Sequence, residues 1–535
     1  MMIPLPPHTW QTGLSILALV YFGCMIALGR LGYRLKNKTV TPTTFYLADR
    51  QLSASSMGIA FVAACFGAGS TLGTFQAFGQ SGLLALWKVA MPLLLTCAVL
   101  YALMLPKLDR FKRLSKLPCD TLPEALACYY GGLGTLWFAG ILWVASVTFV
   151  SSQMIAAIGL LKVLFPDTWG WAVAVGWTGL VSYITLGGFS AVVVTDTLQV
   201  ALYGSGIGLL ALSVILTYMG VYVPVAGFSQ HWLSTSVAAL PKALHWHMQW
   251  QFIPAGWQAL LPFMAKQLGL ITAWVIAPEM WQRMQATRSY HDAKQGLQGA
   301  WLTLVVLYAC VLLICFGAWG LLVHEPQGLM AYHTTDVAHQ KLTPLLYWLT
   351  WTHHAFQFPL PLLTLLLLGF LIALSSTMDS TLNVASQTLT QDMLTPYFRG
   401  SKVTLLQNTV LNPRVMTRVA QVTSVFSAAI ALGIALTHAN ILDMLMLSAE
   451  IYACCLGLPV LWMLWHPQGV AGVPTRLVLS ISPLVYGVLK LLEGVLNSFH
   501  PPWLVGLLQG WYQDSLSLLT LLIGLGVLIV YRQVV

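Results

Sequence analysis

The chain has 535 residues, of which 58% are hydrophobic and 8% charged. Soluble domains carry roughly 25% charged residues, so this composition excludes a cytosolic enzyme, a coiled coil and a disordered chain. The apolar runs are long and continuous, unlike the alternating strands of a membrane barrel, and an all-α polytopic membrane protein is what remains.

A helix needs about 20 apolar residues to cross a bilayer, and thirteen stretches qualify: 12–33, 55–80, 83–105, 134–161, 168–187, 191–218, 256–280, 300–322, 358–382, 417–437, 440–463, 474–493 and 514–531. The first basic residue is Arg30, so no basic stretch precedes the first run, which is expected to stay as a helix. Threading the spans with the N-terminus outside puts nineteen of the 25 Lys and Arg residues in inner loops, from Arg30 and Arg34 to Arg476 and Arg532. Only Lys162, Lys242 and Lys341 fall in outer loops, while Lys88, Lys266 and Lys490 lie within spans. That bias predicts an outer N-terminus and a cytoplasmic C-terminus. It also accounts for the net charge of +9 without a nucleic-acid partner. Eleven of the 13 histidines fall on the outer side. The pairs His245/His247 and His353/His354 there admit a metal site, but neutral, tolerated histidines are the better reading. The nine cysteines form no CxxC and sit mostly in apolar runs, which predicts neither a disulfide framework nor a zinc site.

Three spans carry polar or irregular features that lipid-facing helices do not need. The second, MGIAFVAACFGAGSTLGTFQAFGQSG, holds Gly58, Gly67, Gly69, Gly73 and Gly79. Either it breaks near the midplane and frees carbonyls, or its small residues serve close helix packing. The seventh, five spans later, is interrupted by Pro262, Gly269 and Pro278. That spacing suggests two five-helix halves. The ninth crowds Ser375, Ser376, Thr377, Ser380 and Thr381 together with Asp379 and Asn383. Its hydroxyls either back-bond within their own helix or, with the Ala373 carbonyl one turn earlier, present neutral oxygens suited to a sodium ion.

Lys88, in LLALWKVAMPLLL, costs about 2.5–3.5 kcal/mol to place in a span. Three partners are open to it: a substrate carboxylate, the outer interface by snorkelling, or the acids Asp443 and Glu450, which share a face of the eleventh span. With Glu450 in the same pocket a zwitterion fits; with Lys88 alone, a monocarboxylate.

Five segments resemble the sodium:solute symporter family. These are FYLADRQLS (45–53), TLPEALACYYG (121–131), YITLGGFSAVVVTDTLQ (183–199), PEMWQRMQATRS (278–289) and ALSSTMDSTLNVASQTLTQDM (373–393). The resemblance implies a leucine-transporter-like fold of two inverted five-helix repeats with broken first helices. Its units would be an N-terminal extra helix and cytoplasmic loop (1–54), core repeat one (55–218), an external loop (219–255), core repeat two (256–463) and two C-terminal helices (464–535). It implies sodium-coupled uptake of a small organic solute, a multi-pass location in a bacterial inner membrane, and no enzyme activity. Sodium and the solute would be the chain's partners, besides the bilayer. The family's sodium site maps onto the carbonyls of Ala63, Phe66 and Ala373 and the hydroxyls of Ser376 and Thr377. Asp196 matches an acid near the inner ion exit, although capping of a helix start is an equal reading of that residue. Trp274 falls where the family places an aromatic over the substrate, and facing lipid is an equal reading of it. Cys65 and Gly67 depart from the family's polar residues, so the substrate pocket differs from that of sugar and proline members. Proton coupling through Asp196, Asp379 or Glu450, and a transporter-like sensor, are the alternatives. No oligomeric state follows from the sequence.

Overall fold

A computed structural model of the chain describes residues 9–36, 42–115, 120–130, 135–165, 167–219, 253–254, 257–324, 360–400, 413–438, 440–465, 481–491 and 519–527. Every one of the thirteen predicted spans contains helix among these residues. Eight helices are long and apolar enough to cross a membrane, and shorter apolar helices lie at Thr12–Leu28, Ala54–Cys65 and Ile481–Leu491. Both histidine pairs and nearly all of the 219–255 loop lie outside the described residues.

The chain opens with helix α1 (Thr9–Lys36), the short α2 (Pro42–Leu47) and α3 (Ala54–Cys65). A wide π-turn (Gly69–Gly73) leads into α4 (Thr74–Ser81). After a 3-10 turn (Gly82–Lys88) come α5 (Ala90–Val99), α6 (Leu105–Ser115), α7 (Leu122–Tyr130), α8 (Thr135–Leu164) and α9 (Trp169–Tyr218). The second half holds α10 (Trp257–Ile276), α11 (Pro278–Gln285), α12 (Tyr290–His324), α13 (Leu360–Gln387), α14 (Thr395–Gly400), α15 (Pro413–Thr437), α16 (Ile441–Ile451) and α17 (Gly457–Trp465).

Helix α9 runs 50 residues, about 75 Å at 1.5 Å per residue, too long for one crossing. It covers two predicted spans and bends at Gly188, where φ is 57° and ψ −159°. Only glycine adopts that backbone without strain. A β-carbon there would also lie 2.6 Å from the Phe45 carbonyl oxygen of α2.

A broken helix begins each half. The first break falls between Cys65 and Gly69, within the glycine-rich stretch. The second falls at Ala277, whose ψ of 131° is the extended conformation imposed by the following proline. Pro278 then starts α11, where its missing N–H is no loss. Pro262, in contrast, sits inside the continuous α10 and breaks nothing. Gly269 likewise lies within that helix, so the interruption comes at the C-terminal end of the helix rather than along it.

The core is built by α13, which packs on α8, α9, α3 and α15, and by α3 against α12 and α9. The additional helix α1 lies on α9 and α13. It is tied there by Tyr21, whose hydroxyl is 2.8 Å from Ser375 Oγ and accepts from Gln199 Nε2 at 2.7 Å. The segments FYLADRQLS and PEMWQRMQATRS meet directly. Leu52 N–H donates to the Ala286 carbonyl (3.0 Å), Arg288 N–H donates to the Leu52 carbonyl (3.1 Å), and Gln282 Nε2 donates to the Tyr46 carbonyl (2.9 Å).

Candidate functional site

The α3 ladder ends with Phe66 N–H donating to the Val62 carbonyl at 2.9 Å. Phe66 then takes φ −99° and ψ 72°, which turns its carbonyl out of the helical direction. Its ring stacks on Tyr203, with centroids 5.5 Å apart, and leans on Tyr308 at 5.6 Å. Hydroxyls that follow the break satisfy several freed carbonyls. Ser70 donates to Cys65 (3.0 Å), Thr71 to Gly67 (2.9 Å) and Thr74 to Gly69 (2.9 Å).

The Ala63 carbonyl is met from another helix. Thr377 Oγ1 donates to it at 3.0 Å and Ser376 Oγ approaches it at 3.3 Å. The same hydroxyls reach the Ala373 carbonyl at 3.3 and 2.9 Å. Four of the five oxygens expected from the family thus converge, and Phe66 stands at the helix end beside them. The hydroxyls back-bond to the Ala373 carbonyl of their own helix, as one of the two readings expects, and they also reach across to α3. All four residues are buried, and the cluster contains only neutral, hard oxygens. A hydroxyl that turns its proton away offers a lone pair, so this donor set fits a small monovalent cation better than a transition metal.

Gly67 packs directly against this cluster. A β-carbon on it would collide with Gln153 Oε1 and would lie 2.6 Å from Thr377 Oγ1 and 2.9 Å from Thr377 Cβ. The missing side chain is what lets the broken segment press against the hydroxyls. Gln153, from α8, holds the break from the other side by accepting from Ala68 N–H at 2.6 Å. It had no sequence signal beyond a polar SSQ run in the fourth span.

Beside the cluster, Asp379 accepts from Tyr183 at 2.6 Å and from Ser380 at 3.2 Å. Asp196 is fully buried, and neither of its carboxylate oxygens has a hydrogen-bond partner among the described residues. It lies inside α9, more than two turns past the Gly188 bend, so it caps no helix start. Cys65 is buried with its sulfur 4.0 Å from that of Met280. Trp274 is buried edge-on against Phe149, with centroids 5.4 Å apart, and does not face lipid.

Lys88, Glu450 and Asp443 sort differently from the zwitterion reading. Glu450 is paired with Lys490 at 2.9 Å, both side chains being partly exposed, and Asp443 is exposed. Lys88 is half-buried at the end of its 3-10 turn. The next residue, Val89, reaches within 3.2 Å of the position a β-carbon on Gly69 would take. Lys88 therefore stands one residue from a contact with the broken helix.

A discontinuous helix is crossed at its break by a hydroxyl-bearing helix inside a bundle of spans, the architecture of a polytopic membrane transporter. A family model for the sodium:solute symporter family matches residues 45–469, and the chain belongs to that family. Among solved structures, the chain is similar to a Na+-coupled sialic acid symporter in a substrate-bound, outward-open state, a structure described as revealing a novel Na+ site. The TM-score is 0.66 with 15% identity over 96% of each chain, a likeness of fold. No curated protein sequence matches the chain.

Proposed function

We propose that the protein couples sodium entry to uptake of a small organic solute bearing a carboxylate. Sodium is held by the carbonyls of Ala63, Phe66 and Ala373 and the hydroxyls of Ser376 and Thr377. The observation that carries this reading is the pair of hydroxyls on α13 bonded to the Ala63 carbonyl at the break of α3, more than 300 residues away in the chain. Sodium joins the two helices, favours the outward-open form and shapes the pocket next to Cys65, Gly67 and Trp274. Inner opening draws α3 from α13 and releases the ion toward Asp196. The coupling requires only that ion and solute favour the same states. One charge moving through 100 mV supplies about 2.3 kcal/mol and a tenfold sodium gradient about 1.4 kcal/mol. Together these support a gradient of solute of a few hundredfold per sodium.

Lys88 binds the solute's carboxylate. The engagement of Glu450 with Lys490 favours a monocarboxylate over an amino acid, because the acid that would meet an ammonium group already has a cation beside it. The loop charges support an outer N-terminus in a bacterial inner membrane.

Uptake by proteoliposomes, screened over carboxylates, amino acids, sugars and vitamins with and without sodium, tests the coupling. Ser376→Ala combined with Thr377→Ala raises the sodium needed for half-maximal uptake at least about tenfold, since two ligands are lost, while the protein still inserts. Unchanged sodium dependence refutes the site. A second reading is favoured by the buried, unpartnered carboxylate of Asp196: uptake that ignores sodium and follows pH assigns coupling to protons instead.

A further inference from the structure

Arg283 is the largest fully buried side chain in the described protein, yet no carboxylate oxygen lies within 4.0 Å of it among the described residues. Its guanidinium reaches in three directions instead. Nε donates to the Ala60 carbonyl at 2.8 Å, Nη2 to Ser380 Oγ at 2.6 Å and Nη1 to the Glu279 carbonyl of its own helix at 3.0 Å. The ring of Phe189 covers the guanidinium at 5.8 Å. The first two acceptors have a specific relation to the cation cluster. Ala60 is one turn before Ala63 on α3, and Ser380 is one turn after Ser376 on α13. Ser380 itself donates back to the Ser376 carbonyl at 3.0 Å. Arg283 thus spans the same two helices as the cluster, a turn away from it, from a short helix that follows the second break.

We propose that Arg283 is a positioning residue for sodium. It braces α3 against α13 at the separation that lets the carbonyl of Ala63 and the hydroxyls of Ser376 and Thr377 share one ion, and inner opening must release this brace before the ion leaves. The assignment rests on the sodium site proposed above. A buried arginine within a bundle of spans is costly and is retained for a role. The planar fork suits this role, because its three separate nitrogens reach acceptors set apart on different segments, whereas the three N–H bonds of a lysine all start from one atom.

The charge of Arg283 and its bracing act on sodium with opposite sign. By Coulomb's law alone, removing a positive charge near the cluster tightens sodium binding. Losing the brace loosens it. Equilibrium binding of radioactive sodium to the purified full-length protein in lipid nanodiscs separates the two, and needs no knowledge of the solute. Arg283→Gln is expected to raise the half-saturating sodium concentration about tenfold or more, the scale of losing two hydrogen bonds from a charged donor. Arg283→Lys keeps the charge, loses the fork, and is expected to do the same. Tighter or unchanged binding in Arg283→Gln, or wild-type binding in Arg283→Lys, overturns the assignment. Should neither variant yield folded protein, Ser380→Ala decides: it removes one end of the brace and leaves the arginine. A rise of about threefold or more supports the proposal and unchanged binding overturns it. If the wild-type protein itself binds no sodium, the sodium site falls, and this inference with it. If the wild type binds sodium and the variants match it, only the inference falls.

Discussion

Substituting alanine at Gly67 tests the geometry of the cation cluster without touching any of its oxygens. The added β-carbon would sit 2.6 Å from Thr377 Oγ1, where ordinary contact begins near 3.4 Å, so something must yield by about 0.8 Å (3.4 − 2.6). Gln153 cannot give way cheaply, because its oxygen is held at 2.6 Å by the Ala68 N–H. Gln153, whose Oε1 lies 2.4 Å from the new carbon, and Thr377 must both move, and Thr377 is the one that belongs to the cluster. Its bond to the Ala63 carbonyl, now 3.0 Å, would lengthen to as much as about 3.8 Å (3.0 + 0.8), outside hydrogen-bond range. Overpacking of this kind costs about 1–3 kcal/mol. If most of that strain falls on the ion-bound state, half-saturating sodium rises by about 10- to 100-fold. The assay is sodium titration of uptake, or of direct sodium binding, on protein whose melting temperature is recorded alongside. Gly140→Ala is the matched control: no atom lies within 4 Å of its added carbon, and alanine is the better helix former. Half-saturating sodium within twofold of wild type in Gly67→Ala would refute the placement of Gly67 against the cluster, and with it the claim that these oxygens form the ion site.

The remaining expectations follow from single contacts. Gly188→Ala forces a side chain onto a glycine-only backbone and into the Phe45 carbonyl, and lowers stability by about 2 kcal/mol or more, read as a drop in melting temperature; an unchanged melting temperature would show that the bend is not enforced there. Lys88→Met abolishes uptake of the carboxylate solute but leaves sodium binding in place, and normal uptake by this variant removes the lysine from the pocket. Glu450→Gln breaks a partly exposed pair with Lys490, worth about 0–1 kcal/mol, and leaves uptake and its sodium dependence as in wild type. Loss of transport would return Glu450 to the substrate site.

Composition and span counting give the helical bundle directly, because a bilayer demands long apolar helices and little else does. The breaks were harder to place. Glycine clustering located the first one correctly, and Gly67 and Gly69 are required there by close contact. In the second half, three candidate breakers stood in one span and only Pro278 interrupts it. Pro262 is accommodated inside α10, as prolines in membrane helices often are when neighbours satisfy the freed carbonyl. Asp196 shows the complementary failure. Counting spans of ordinary length placed it near a helix start, whereas α9 bends at Gly188 and continues, leaving the acid deep inside a helix.

The residues that sequence patterns could not assign are those whose meaning lies in a partner far along the chain. Glu450 has the same chemistry beside Lys88 as beside Lys490, and only the packing of the 481–491 helix distinguishes them. Gln153 and Arg283 are single polar residues in segments with no periodic signal, yet each holds one side of the α3 break. The family segments themselves acquire a physical sense once assembled. Tyr183 of YITLGG bonds Asp379 of the hydroxyl-rich helix, Thr121 of TLPEALACYYG bonds Asp392 further along that chain segment, and Gln282 beside Arg283 donates to Asn383 and Gln387 at 2.9 Å. Every one of these contacts lands on the residues that follow Thr377 rather than on the pocket side of the break. The shared motifs therefore grip the part of α13 and its continuation that follows the hydroxyl cluster. The positions proposed for the solute, Cys65, Gly67 and Lys88, lie outside these contacts, as one shared scaffold carrying different solutes requires.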